Sequence, residues 1–170
     1  MLVISWKQRR PILVLASIII TFALSGCESD DIMQYIKSTP LTTRIDAEIK
    51  ATPGINPDSN GRPSPIIVRL YELRAIGMFE GADFFSLYES ENEALGADLL
   101  GREELELKPG DTQTLKRITA KDAQYIGVVG AYRGLDKAQW RTTFKLRPER
   151  MNKINIEVGD QAITIQEQKR

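Results

Sequence analysis

Leu41-Thr42-Thr43-Arg44-Ile45-Asp46-Ala47-Glu48-Ile49-Lys50-Ala51 alternates along its whole length. Leu41, Thr43, Ile45, Ala47, Ile49 and Ala51 fall on one side of an extended chain; Thr42, Arg44, Asp46, Glu48 and Lys50 fall on the other. Successive side chains of a strand point to opposite faces, so this period of two reads as a strand with one face in a core and one in water. The pattern recurs downstream. Ile66, Val68 and Leu70 alternate with Ile67, Arg69 and Tyr71. Trp140, Thr142, Phe144 and Leu146 alternate with Arg141, Thr143, Lys145 and Arg147, and Ile154, Ile156 and Val158 with Lys153, Asn155 and Glu157. Leu105 and Leu107 share one face of residues 103–108. Pro109-Gly110-Asp111 then signals a turn, from which Thr112–Ile118 is expected to return as the second arm of a hairpin. Gly159-Asp160 turns the chain into a last strand through Ile163 and Ile165, giving a C-terminal hairpin.

Residues 125–133 differ from these half-buried strands. Tyr125, Val129 and Ala131 lie on one face, and Ile126, Val128 and Tyr132 on the other. A strand apolar on both faces belongs at the centre of a sheet, and Gly127 and Gly130 in it suit close approach of neighbours. One region has no period of two. Residues 74–101 hold Met78, Phe79, Phe84, Phe85, Leu87, Tyr88, Leu95, Leu99 and Leu100, and Asp83 stands where it can cap a helix through Phe84, Leu87 and Tyr88. This reads as a small helical insert over one end or face of the sheets, a satellite core rather than a ligand lid. About eight strands with one such insert make a mainly β protein, a two-sheet β-sandwich of immunoglobulin-like or transthyretin-like type.

The N-terminus is of another kind. Lys7, Arg9 and Arg10 precede an apolar run at 11–24, which ends in Leu24-Ser25-Gly26-Cys27, and Cys27 is the only cysteine. A basic segment, an apolar stretch and small residues before a cut site make a secretory signal peptide. About 14 apolar residues fall short of the roughly 20 that span a bilayer. The tetrad resembles the bacterial lipobox, whose cysteine receives a diacylglycerol and becomes the first mature residue. The expected organisation is a signal peptide at 1–26, a lipidated tether at 27–40 and a sandwich domain at 41–170. A short helix is expected at 30–37 within the tether. About a dozen tether residues reach at most ~40 Å.

Composition excludes several functions. The chain has 23 basic and 23 acidic residues. Cleavage removes three basic residues and no acidic one, so the mature domain is mildly acidic. It offers no footprint for nucleic acid and no polybasic run for anionic lipid. There is no histidine, which excludes Ser-His-Asp and Cys-His catalysis and the commonest zinc ligand. Glu103 and Glu104 are adjacent on a strand, so they diverge and read as a solvated edge. No phosphate-cradling glycine loop occurs. Catalysis, metal binding and a cofactor are therefore not expected.

The connection at 52–65, Thr52-Pro53-Gly54-Ile55-Asn56-Pro57-Asp58-Ser59-Asn60-Gly61-Arg62-Pro63-Ser64-Pro65, is longer than common hairpin loops and leads into Ile66-Ile67-Val68-Arg69-Leu70-Tyr71-Glu72-Leu73. The run 56–73 resembles the TssJ family, outer-membrane lipoproteins of the bacterial type VI secretion system. Ala82-Asp83-Phe84-Phe85-Ser86-Leu87-Tyr88 resembles that family's aromatic insert. Tyr125-Ile126-Gly127-Val128-Val129-Gly130-Ala131-Tyr132-Arg133 with Trp140-Arg141 resembles its late strands. Gly130 and Gly134 depart from it, standing where alanine and aspartate are expected.

The resemblance implies a transthyretin-type sandwich facing the periplasm. It implies binding to the C-terminal periplasmic domain of the IcmF-like protein TssM, in a complex with TssL, with no small-molecule substrate. It places the TssM contact on Asn56, Pro57, Asp58, Ser59, Asn60, Gly61, Arg62 and Pro63, and leaves Arg69 and Tyr71 to the sheet. Four prolines in this loop restrict φ, so little ordering entropy is lost on docking. The competing functions are a periplasmic transthyretin-like ligand-binding or hydrolase domain, and a pilot lipoprotein of another envelope machine. The hydrolases of that fold use histidines, which this chain lacks.

Cys27→Ser tests the lipid anchor. The variant should leave the membrane pellet after a carbonate wash, while the wild type sediments with the outer membrane in a density gradient. An inner-membrane peak would assign Glu28, next to Cys27, a retention role.

Overall fold

A computed structural model describes residues 42–168 of the 170. The expected signal peptide 1–26, Cys27 and the tether 27–40 with its short helix lie outside the described residues. Eight strands form two four-stranded sheets. They are β1 (Arg44–Ala51), β2 (Ile66–Leu73), β3 (Leu99–Leu107), β4 (Thr112–Ile118), β5 (Tyr125–Gly130), β6 (Arg141–Lys145), β7 (Met151–Val158) and β8 (Ile163–Glu167). One sheet has the order β4-β1-β7-β8 and the other β3-β2-β5-β6. β1 and β7 run parallel; every other neighbouring pair is antiparallel.

The alternation read from the sequence is what packs the sheets together. Ile45, Ala47, Ile49, Ile154, Ile156 and Val158 face Ile66, Val68, Leu70, Ile126 and Val128 in one buried cluster. Each large aliphatic side chain there contributes about 1.5–3 kcal/mol by leaving water. Strand directions define two poles. β1 and β7 run from the proximal pole, where the described chain begins at Thr42, to the distal pole. The connections 52–65, 108–111, 131–140 and 159–162 all lie at the distal pole, and 119–124 and 146–150 at the proximal one. A strand of eight residues separates the poles by about 26 Å.

Three short helices, α1 (Gly77–Gly81), α2 (Phe84–Glu89) and α3 (Glu91–Leu95), cover the outer face of β2 and β5. Asp83 caps α2: its carboxylate accepts from the Ser86 amide at 3.0 Å and the Ser86 hydroxyl at 2.6 Å. The Ser86 hydroxyl and amide hold that carboxyl below the usual range. Phe79, Phe84, Leu87 and Leu95 close over Tyr71, Leu73 and Val129 in a second cluster. The Tyr71 hydroxyl donates to the Leu87 carbonyl at 2.8 Å, and the Arg141 guanidinium donates to the carbonyls of Phe79 and Ala82. The insert is thus a satellite core, and its cover makes β2 as well as β5 buried on both faces.

Two expectations need correction. β3 and β4 do not form a hairpin. Gly110 reverses the chain at φ 83°, but β4 pairs with β1 and β3 with β2, so the turn crosses between sheets. Turn chemistry encodes a reversal, not the partner of the returning strand. The insert ends at Asp98 rather than 101, because β3 begins at Leu99 with an irregular register at Glu72 and Leu73. The reading of Glu103 and Glu104 holds: they diverge on the edge strand β3, partly in solvent, where Glu103 lies 3.1 Å from Arg117 and Glu104 lies 2.6 Å from Arg69.

Gly127 has a packing reason. A Cβ there would stand 2.8 Å from the Phe79 ring and 3.0 Å from Leu73. Gly127→Val should therefore destabilise the domain by about 1–3 kcal/mol through overpacking. Gly134→Ala, with nothing within 4 Å of the added atom, should be near neutral. Urea unfolding of both variants checks the contrast.

Candidate functional site

The long connection at the distal pole is built around two short polar side chains. Thr52 leaves β1 with its amide on the Val158 carbonyl and its hydroxyl donating to Asp160 Oδ1 at 2.9 Å. Gly54 follows where a Cβ would come within 2.6 Å of the same carboxylate. Ile55 then turns inward and is fully buried. Asn56 adopts φ 46°, a left-handed conformation that asparagine tolerates better than most residues. It is 3% exposed and makes three bonds at once. Its amide donates to the Asp160 carbonyl at 3.2 Å, its Nδ2 donates to the Pro65 carbonyl at 2.8 Å, and its Oδ1 accepts the Arg133 amide at 2.8 Å. The Ser64 amide on the Ile55 carbonyl closes the neck.

Beyond that neck the tip is organised by Asp58. Its Oδ1 accepts the amides of Asn60 at 2.8 Å and Arg62 at 3.0 Å, and its Oδ2 accepts the Arg62 guanidinium. The backbone closes too, with the Asp58 amide on the Arg62 carbonyl and the Gly61 amide on the Asp58 carbonyl. Gly61 sits at φ 75°, which needs no Cβ. The Arg62 amide, then its guanidinium, hold the Asp58 carboxyl below the usual carboxylate range. Ser59, Asn60, Gly61, Arg62 and Pro63 are left exposed as a rim, with Pro57 and Asp58 half-buried beneath.

The other distal connections brace this loop. The Tyr132 hydroxyl donates to the Gly159 carbonyl at 3.1 Å; burial, with Asp160 nearby, pushes that phenol well up. Gly110 donates to the Thr52 carbonyl. The sequence places Asn56 with the contact residues, whereas the structure buries it as the joint between the loop and the 131–140 connection. Its signal was an asparagine before a proline in a turn, a residue type that bonds its own backbone neighbourhood.

Two other buried polar groups were not foreseen. Glu72, 4% exposed, points between the sheets in step with Leu70, accepts the Ala120 amide at 2.7 Å, and forms an ion pair with Arg117 of the opposite sheet at 2.9 Å. Asn152, fully buried, bonds the backbone of Arg44, Arg147 and Arg150. The Asn152 amide is thus engaged by backbone, while Glu72 Oε1 has the Arg117 ion pair and no hydrogen bond. Among the described residues no cluster of three or more His, Cys, Asp or Glu is placed to hold a metal ion.

The family model for type VI secretion lipoproteins, described as VasD, EvfM and TssJ, matches residues 43–161. The chain is similar to the crystal structure of the T6SS lipoprotein TssJ1 from Pseudomonas aeruginosa at 34% identity and TM-score 0.74, over 76% of this chain and 98% of that one. It is similar to Lip of Serratia marcescens, a membrane bound component of the type VI secretion system, at 29% identity and TM-score 0.69, over 76% and 99% of the two chains. A chain of a type VI membrane complex matches at 26% identity and TM-score 0.65, over 74% and 98%. No curated protein sequence matches.

Order in the tip should follow the charge on Asp58. A carboxyl whose folded pKa is depressed contributes its stabilisation above its unfolded pKa, near 4, and loses it as pH falls through the lower folded value. The protection of the Asn60 and Arg62 amides, taken relative to their intrinsic exchange rates, should therefore stay high at about pH 5 and fall only below about pH 4. Asp58→Asn should remove that pH dependence and leave both amides weakly protected throughout.

Proposed function

The chain belongs to the type VI secretion lipoprotein family, and we propose that it ties the secretion apparatus to the outer membrane by binding the C-terminal periplasmic domain of TssM. The family is one of membrane-bound structural lipoproteins, and the chain is a component of the type VI secretion membrane complex. In the proposed reading Cys27 carries the diacylglycerol and the domain faces the periplasm. TssM docks on the distal loop, in an assembly with TssL. No cofactor, nucleic acid or catalytic step takes part.

One observation carries the assignment of the loop: the tip is held by hydrogen bonds of its own chain. Asn56 fixes the neck and Asp58 fixes the crest, so the exposed rim from Ser59 to Pro63 is presented in one conformation. A loop held in this way forfeits little conformational entropy on docking. In this reading Asn60, Arg62 and Pro63 make contact, with Pro57, Asp58, Ser59 and Gly61 shaping the crest and Asn56 positioning it from below. The site also stands at the pole opposite Thr42, where the described chain begins.

Cutting the whole connection would remove Ile55 from the core and Asn56 from three bonds, so the decisive variant keeps the neck. Replacing residues 58–62 with a Gly/Ser stretch of equal length should leave the circular dichroism spectrum unchanged. It should weaken binding of the TssM C-terminal domain about tenfold or more by calorimetry. Wild-type affinity in the folded variant would reduce the tip to a connector.

A further inference from the structure

The outer face of the β4-β1-β7-β8 sheet carries its charges unevenly. At the proximal end Arg44 stands directly between Ile118 and Met151 on the neighbouring strands. Ile118 is 56% exposed and Met151 47%, and both lie on the solvent side, opposite the inward Ile45. The next row on this face is Lys116, Asp46 and Lys153. Arg150 and Lys121 are exposed in the connections of the same pole. The carboxylates there are mostly spent: Asp46 pairs with Lys116, Asp122 with Arg74, and Glu167 with Arg147, which leaves Glu149 and the half-buried Asp98. Toward the distal pole the same face carries Glu48 and Glu157 around Lys50. A mildly acidic domain therefore has one basic end, and that end holds two large apolar side chains in water.

The described chain starts on this rim. The Thr43 carbonyl accepts the Thr119 amide at 3.0 Å, the Thr43 hydroxyl accepts the Glu149 amide at 2.9 Å, and the Arg44 amide donates to the Arg150 carbonyl. The 14 residues 28–41 lead back to Cys27 and span at most ~50 Å. We propose that the proximal pole is a membrane-facing surface. Arg44, Lys121, Arg150 and Lys153 would meet anionic phospholipid headgroups while Ile118 and Met151 enter the headgroup boundary. The proposal rests on the reading of Cys27 as the lipid anchor. Whole-domain charge gave no hint of it, because the acidic residues that cancel these cations lie elsewhere on the sandwich. Each cation near an anionic surface adds attraction, and the exposed apolar pair adds contact that neutral lipid alone would not select.

The domain can be tested without its acyl group, because both four-stranded sheets and the two buried clusters are built from residues within 42–168. Residues 41–170 with an N-terminal histidine tag are held on vesicles by a nickel-chelating lipid, with phosphatidylcholine alone or mixed with phosphatidylglycerol. An environment-sensitive dye is placed at Pro148→Cys on the proximal pole or at Asn60→Cys on the distal tip. With brominated acyl chains and phosphatidylglycerol present, quenching at 148 should exceed that at 60 about threefold or more, and raising salt should abolish the difference. Arg44→Glu with Arg150→Glu should lower quenching at 148 to its value on phosphatidylcholine alone. Equal quenching at the two poles, or no dependence on phosphatidylglycerol and salt, overturns the proposal. The tag replaces the acyl chains, so this outcome is independent of the carbonate wash that tests Cys27.

Discussion

Burial of β2 and β5 on both faces is the constraint from which the rest of this sandwich follows. Their inner faces take Ile66, Val68, Leu70, Ile126 and Val128 into the core between the sheets. Their outer faces present Tyr71, Leu73 and Val129, which would be an exposed apolar surface without cover. Three helices too short to be stable alone provide that cover. They hold by packing and by bonds to fixed strand atoms, the Tyr71 hydroxyl on Leu87 and the Arg141 guanidinium on Phe79 and Ala82. Gly127 exists because Phe79 must come that close. Arg69 completes the seal, its guanidinium 3.9 Å above the Tyr88 ring and paired with Glu91 and Glu104.

Polar groups inside the sandwich do a different job. Glu72 and Arg117 come from opposite sheets, and a buried ion pair of this kind adds little net stability. It does penalise any register of β2 or β4 that separates the two charges. Asn56 works likewise at the distal pole, where one amide fixes the spacing between two connections. The ordered tip thus depends on residues that never reach the surface. The division between a buried neck and an exposed crest is what lets a loop be stiff without being part of a sheet.

Local signals carried much of this into the sequence. Alternation from Ile45 to Ala51, apolar residues on both faces of 125–130, the Asp83 cap and the C-terminal hairpin were all legible, because each depends on neighbours within a few positions. The pairing of β4 with β1 was not, since Thr112–Ile118 has a polar alternation that suits the edge of either sheet. Nor was the β3 start, where Leu99 and Leu100 read equally as helix or strand. At the candidate site the length and the four prolines of the connection at 52–65 were visible. The inward turn of Ile55 and Asn56 required knowing that Asp160 and Arg133, far along the chain, would stand beside them.

The central place of β1 has a mechanical consequence. β1 is hydrogen-bonded along both edges, antiparallel to β4 and parallel to β7. Its first residue follows the proximal chain and its last leads into the distal loop. A pull applied between Thr42 and the loop tip runs along the strand axis, so it loads the rungs on both edges together in shear. Peeling them one at a time would need a force across the sheet, which this connectivity does not transmit. The strand that joins the two poles is thereby the one least able to be unzipped by tension between them.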